Sequence, residues 1–316
     1  MIDFRYHLVS LIAVFLAVAL GIVIGTTALN APILADIKHQ VGALEQDKRS
    51  LENRTQQLQT QVDRTDAFAD AVAPALVDKT LAGSSVLLVV TNDGVPTETV
   101  DQLTALIQDA GGTVSGTLTL QPEYSDPSTA TSLQNYVTGS GRPAGIQLPA
   151  GTADAGQLVG SLLAQVLMIP PGGPAPDRAA ISSVLAGLSA LNVLTAGGDS
   201  VAPAQYAIVL TAGGFTGADA ADRNATVADL VTALDSTGSG AVVAGDADSS
   251  GATGLVGVIR DDPKLSAAIS TVDNAATAAG RISTVLALVG EGDGTSGKYG
   301  TGEDTQPVPP VPPATP

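Results

Sequence analysis

Residues Leu8 to Leu29 form an unbroken apolar run of 22 positions in which only Ser10, Thr26 and Thr27 are polar. No other stretch constrains the chain so strongly. A helix needs about 20 apolar residues to cross the hydrocarbon core of a bilayer. The apolar core of an export signal is shorter, about 7–15 residues, and ends at a small-x-small cleavage site. The nearest such site, Thr26 to Ala28, is a poor one. An uncleaved signal-anchor over 8–29 is therefore the expectation, ahead of a cleaved signal and of a buried core helix. Arg5 and the amino terminus place the stub 1–7 in the cytoplasm by the positive-inside rule, and the bulk of the chain outside the membrane. The protein is expected to be a single-pass membrane protein of the cell envelope. Gly21 and Gly25 make a GxxxG spacing, which permits close helix contact and is weak evidence by itself.

A second helical pattern follows over 33–77. Heptad a positions fall on Leu34, Val41, Lys48, Thr55, Val62, Ala69 and Leu76, and d positions on Ile37, Leu44, Leu51, Leu58, Thr65 and Val72. Six heptads of this kind predict a coiled-coil stalk, roughly 60 Å long at about 1.5 Å per residue, with Pro74 near its end. A lone helix would leave its seam wet, so a protein partner is expected along Leu34, Ile37, Val41, Leu44, Leu51, Leu58 and Val62. That partner is a second copy or a foreign helix. Lys48 and Thr55 weaken the seam for a homodimer, and Asp47 at g would face Glu52 at e of the other chain.

The segment 81–289 alternates strand and helix patterns. "SSVLLVVTNDG", "PTETVDQLTALIQDAGG" and "TVSGTLTL" read as a β-α-β unit. Helices are expected at Thr152–Met168, Asp177–Leu191, "ADRNATVADLVTALDS" and "NAATAAGRISTVLALVG". Strands are expected at "YAIVLTAGG", "AVVAGD" and "GLVGVI". The fold class is α/β: a transmembrane helix, a long coiled-coil helix, then an open, mostly parallel sheet. Residues 290–316, ending "PVPPVPPATP", are expected to be a disordered Pro-rich tail.

Most chemistry is excluded by composition. Beyond residue 80 there are 22 Asp or Glu against 7 Lys or Arg, a surface that repels nucleic acid. There is no Cys, and the two His, His7 and His39, precede the α/β domain. A Ser-His-Asp triad in the domain and a Cys- or His-ligated zinc site are both ruled out. No dinucleotide fingerprint follows the first strand, and no phosphate-binding P-loop motif occurs. "GDADSSG" places Asp246, Asp248 and Ser250 as in the start of an EF-hand loop, but its twelfth position is Gly257, so an ordinary acidic turn is expected. Asp261-Asp262 before Pro263 reads as a helix start. No catalytic, metal-binding or cofactor-binding residue is expected. Any ligand would sit at the strand ends Thr91-Asn92-Asp93-Gly94, Ala212-Gly213-Gly214 and Gly245-Asp246.

The stretches "MIDFRYHLVSLIAVFLAVALGIVIGTTALN", "VGALEQDKRSLENR" and "GVIRDD…AAISTVDNAATAAGRISTVLALVG" resemble the actinobacterial MctB copper transporter family over most of 1–290. The resemblance implies an envelope protein of copper homeostasis, proposed as an efflux channel. It also implies a link to cell separation, through coiled-coil partners that control a peptidoglycan hydrolase. Copper itself is implied by this resemblance only.

Overall fold

The computed structural model describes residues 4–139, 141–197 and 201–310, apart from the side chains of 26–36. The chain divides into two compact units, Met1–Thr65 and Asp66–Pro316. The elements in chain order are α1 (Phe4–Val77), β1 (Ser85–Val90), α2 (Thr97–Asp109), β2 (Thr113–Leu120), α3 (Ala130–Thr138), α4 (Ala155–Leu167), α5 (Arg178–Ala190) and β3 (Leu194–Gly197). They continue as β4 (Tyr206–Thr211), α6 (Ala220–Thr237), β5 (Ala241–Gly245), α7 (Leu255–Asp261), α8 (Pro263–Ala268), β6 (Ser270–Val272), α9 (Ala278–Gly292) and β7 (Lys298–Tyr299).

The first unit is helical. Within α1, Phe4–Gly25 is long and apolar enough to cross a membrane, and none of it is buried by the rest of the chain. Residues 26–29 of the expected span, and Leu34 of the expected seam, fall among those whose side chains lie outside the described set. Pro74 does not stop the helix. It sits in the last turn, and α1 ends at Val77.

The second unit is a sheet between two helical layers. Its strand order is β3-β2-β1-β4-β5-β6-β7, parallel throughout except for β3, which runs antiparallel to β2. Successive side chains of a strand point to opposite faces, and the core follows that rule. Leu87, Val89, Ala207, Val209, Ala241 and Val243 pack with α4, α5 and α6. Val86, Leu88, Ile208, Leu210, Val242 and Ala244 pack on the other face with α2, α9 and the end of α1 at Ala73 and Val77. Burial on both faces explains why these strands are continuously apolar rather than alternating.

Several expectations change. "GLVGVI" is not a strand: it is the start of α7. The reason is topological, since β5 and β6 are parallel and a parallel pair needs a crossover, which α7 and α8 supply. α9 runs to Gly292 rather than ending near 290. The tail beyond it is not wholly disordered. β7 pairs with β6, Tyr299 is buried, and Asp273 accepts from the backbone N–H of Thr301 at 2.7 Å and of Gly302 at 3.1 Å. Arg260 Nη2 donates to the Tyr299 carbonyl at 2.9 Å and Nη1 to Asp273 at 2.7 Å, so this segment is tied to the sheet edge. Residues 311–316 lie outside the described set. The short strands β3, β6 and β7 and the helix α3 carry too few residues to show a period in the sequence.

Candidate functional site

Two features of the chain can hold something else: a cleft at the strand ends and the exposed face of α1.

The cleft follows from strand order. From β1 the chain steps outward to β2, then returns to β4 on the other side of β1. The loops leaving β1 and β4 therefore diverge, and a crevice opens outside their carboxyl ends. Here the crevice has a volume of about 530 Å³ and is walled by 91–94 after β1, 119–122 at the end of β2 and 211–216 after β4. Two of the three strand ends expected to meet a ligand thus line one cavity. The third does not line it. Asp246 instead accepts from the Gly213 N–H at 2.9 Å and from Ser249 N at 2.9 Å, so the "GDADSSG" turn braces the loop after β4. The absence of a side chain at Gly213 suits its backbone, whose φ is +61°. Gly214 lacks one for space, since a Cβ there would lie 2.6 Å from Thr253 Oγ1.

The far wall comes from the start of α6 and from the turn after β2. Arg223 stacks over the Phe215 ring at 4.5 Å. Its Nε donates to Ser125 Oγ and its Nη2 to the Pro122 carbonyl, both at 3.2 Å. No carboxylate lies within ion-pair distance of it among the described residues. Asn224 Nδ2 donates to the Thr253 carbonyl at 2.7 Å, which fixes the amide orientation and leaves Oδ1 without a partner. Thr91 Oγ1 and Tyr124 Oη are also buried without a hydrogen-bond partner. Burial, with the charge of Asp229 added, pushes the Tyr124 phenol well above its ordinary range, so it stays a neutral hydroxyl. Arg223, Asn224 and Tyr124 escaped the sequence reading because no motif marks them. The one available signal was Phe215, the only Phe beyond residue 80.

Along α1, the seam residues Ile37, Val41, Leu44, Leu51, Leu58 and Val62 are 49–69% exposed. Their spacing puts them on one helix face. Thr65, a d residue, turns its hydroxyl onto the Gln61 carbonyl at 2.9 Å. Lys48 reaches Glu52 on its own helix at 3.5 Å. Thus the charge expected to oppose Asp47 of a second copy already has a cation beside it.

No group of three or more His, Cys, Asp or Glu comes together among the described residues. Asp262 caps α8, accepting from the backbone N–H of Lys264 at 2.7 Å and of Leu265 at 3.1 Å, as the sequence implied.

The chain is similar to "Copper transporter MctB" of Mycobacterium tuberculosis (strain ATCC 25618 / H37Rv), at 32% identity over 197 residues. It is 33% identical over 197 residues to the protein of that name from Mycobacterium leprae (strain TN). In both cases the match covers 62% of this chain and 62% of the relative, short of two thirds of the relatives' length. The sequence model described as "Copper transport outer membrane protein, MctB" matches residues 1–310, and the chain belongs to that family.

Proposed function

We propose that this protein is a membrane-anchored cell-envelope protein that acts in copper transport, without being an enzyme. The observation that carries this reading is the family match over 1–310. In this reading Phe4–Gly25 is the anchor, the stub before it is cytoplasmic, and the α/β unit works outside the membrane. Copper is the cargo of an assembly rather than a ligand of this chain alone. Copper(I) favours thiolate and thioether sulfur, and copper(II) favours imidazole. The chain has no Cys, two His and two Met, and Met168 is fully buried. Deleting the gene and measuring cellular copper by mass spectrometry tests the proposal. Copper content should shift on deletion and be restored by the wild-type chain. Unchanged copper content and unchanged copper tolerance in the deletion strain would refute it.

A second reading is favoured by the exposed apolar face of α1. The protein is then a coiled-coil scaffold or regulator of envelope partners, as in control of cell separation or of a peptidoglycan hydrolase. Photo-crosslinking from Leu51 in cells separates the two: capture of a cell-wall hydrolase supports the scaffold, and capture of copper-handling components supports transport.

A further inference from the structure

We propose that the cleft at the carboxyl ends of β1 and β4 binds a neutral, hydroxyl-rich small molecule of carbohydrate type, one or two rings in size.

The inference rests on where the unpartnered polar atoms are. Only five buried side-chain polar atoms lack a hydrogen-bond partner among the described residues, and three of them, Thr91 Oγ1, Tyr124 Oη and Asn224 Oδ1, belong to residues that wall this one cleft. Buried polar groups are nearly always paired, because an unpaired one forfeits its hydration with nothing in return. Thr91 is 8% exposed, and Tyr124 and Asn224 are each 1% exposed, so bulk water does not reach them freely. Their concentration in one crevice at the topological switch point is the pattern of a site whose partner is a ligand.

The chemistry of the three atoms selects the ligand. Asn224 Oδ1 can only accept, so the ligand must donate. Two neutral hydroxyls can each donate or accept. Alternating donors and acceptors at short spacing are what a sugar ring presents. Arg223 already has neutral oxygen partners and an aromatic ring beneath it. Asp93 lines the same cleft and is its one carboxylate among the described residues, as Arg223 is its one cation, and the surface beyond residue 80 is strongly acidic. The cleft itself therefore offers no net positive charge to hold a multiply charged anion against the acidic surface around it, whereas a neutral polyol needs none. The cavity, about 530 Å³, suits one or two sugar rings.

The test uses the full-length chain in a detergent without a sugar headgroup, such as lauryldimethylamine oxide. The neutral probes are glucose, N-acetylglucosamine and maltose, and the charged probes are glucuronate and glucose 6-phosphate. Binding is read by saturation-transfer NMR and by titration calorimetry, and stability by thermal unfolding. At least one neutral probe should bind saturably. Thr91→Val and Tyr124→Phe should each weaken it about tenfold, while the midpoint of unfolding stays level or rises, because each removes an unpaired buried hydroxyl. Such a split is not expected of hydroxyls with a purely structural role, whose loss would lower the midpoint. Binding of none of the neutral probes, preference for the charged ones, or undiminished binding in both variants overturns the proposal.

Discussion

The Asp70 carboxylate accepts a hydrogen bond from Arg281 Nη2 at 2.7 Å, joining the last turns of α1 to α9 across 211 residues of chain. One turn earlier, Asp66 Oδ1 accepts from the backbone N–H of Ala278, the first residue of α9, at 2.6 Å. Spacing of i, i+4 puts both carboxylates on one face of α1, and both meet the positive end of α9. Arg281 is 96% buried at its side chain, whereas Asp70 is half exposed.

Removing Asp70 should therefore destabilise the α/β unit. Asp70→Ala leaves a buried guanidinium with the Ala276 carbonyl as its remaining partner. Breaking a fully buried pair costs about 3–5 kcal/mol. Because Asp70 is half solvated, about 1–2 kcal/mol is expected here. Denaturant unfolding of the full-length protein in detergent would measure it. An unchanged midpoint would show that the Asp70–Arg281 pair contributes nothing to the stability of the unit.

Leu51→Asp with Leu58→Asp should abolish whatever pairing α1 makes. Two carboxylates would enter an apolar seam unpaired, at several kcal/mol in total. Inter-chain crosslinking along 44–62 should vanish while unfolding of the α/β unit stays the same, since neither leucine belongs to its core. Retained crosslinks would overturn the prediction, and full activity with the crosslinks lost would reduce this face to a spacer.

Lys48→Ile with Thr55→Val should strengthen self-association, because both are heptad a positions. Sedimentation in detergent would show a tighter dimer. Should the native partner be a foreign helix, the same variant also loses function in cells. The loss of the Lys48–Glu52 ion pair is a small opposing effect, because both side chains are more than half exposed.

Glu291 should make the protein less stable as pH rises through neutrality. Burial, with a lesser contribution from the Asp235 charge, raises its carboxyl to about 7, against the pull of hydrogen bonds from Ser270 and Ser296. Asp235 itself is raised to about 6, chiefly by burial. The folded state therefore holds protons that the unfolded state has already released, and stability falls with pH between the two pKa values. Stability should be highest below about pH 4 as far as these groups are concerned, and roughly 2 kcal/mol should be lost by pH 8. Glu291→Gln should flatten that decline. An equally steep decline in the variant would exonerate Glu291.

The elements legible in the sequence were those with many residues sharing one period. α4, α5 and α6 lie within two or three residues of expectation, and β1, β4 and β5 announce themselves as apolar runs burying both faces. The run Leu255 to Ile259 reads as a strand in the sequence and is a helix for a physical reason: five mostly apolar residues carry too little of either period, and only the parallel pairing of β5 with β6 decides for a helix. The cleft was half legible. Strand ends, Thr91 among them, could be named from turn residues, but the other two orphan atoms of the cleft come from Tyr124 and Asn224, which the loop after β2 and the start of α6 bring in from 30 to 130 residues away. The link between Asp66, Asp70 and α9 was hidden by the heptad pattern, which draws the eye to the opposite kind of residue on the same helix.

The placement of β1 beside β4 also sets a timetable for the chain. Ser85 and Gln205 are partners 120 residues apart, so the central pair of the sheet cannot close until more than half of the unit has been made. Until then β1 has only β2 for company, and its Leu87, Leu88 and Val89 wait without one of their two neighbours. Pairing between such distant segments is intrinsically slow. In the proposed topology, with Phe4–Gly25 as a membrane anchor, the interval before sheet closure is the period in which these strands are most exposed to aggregation and proteolysis.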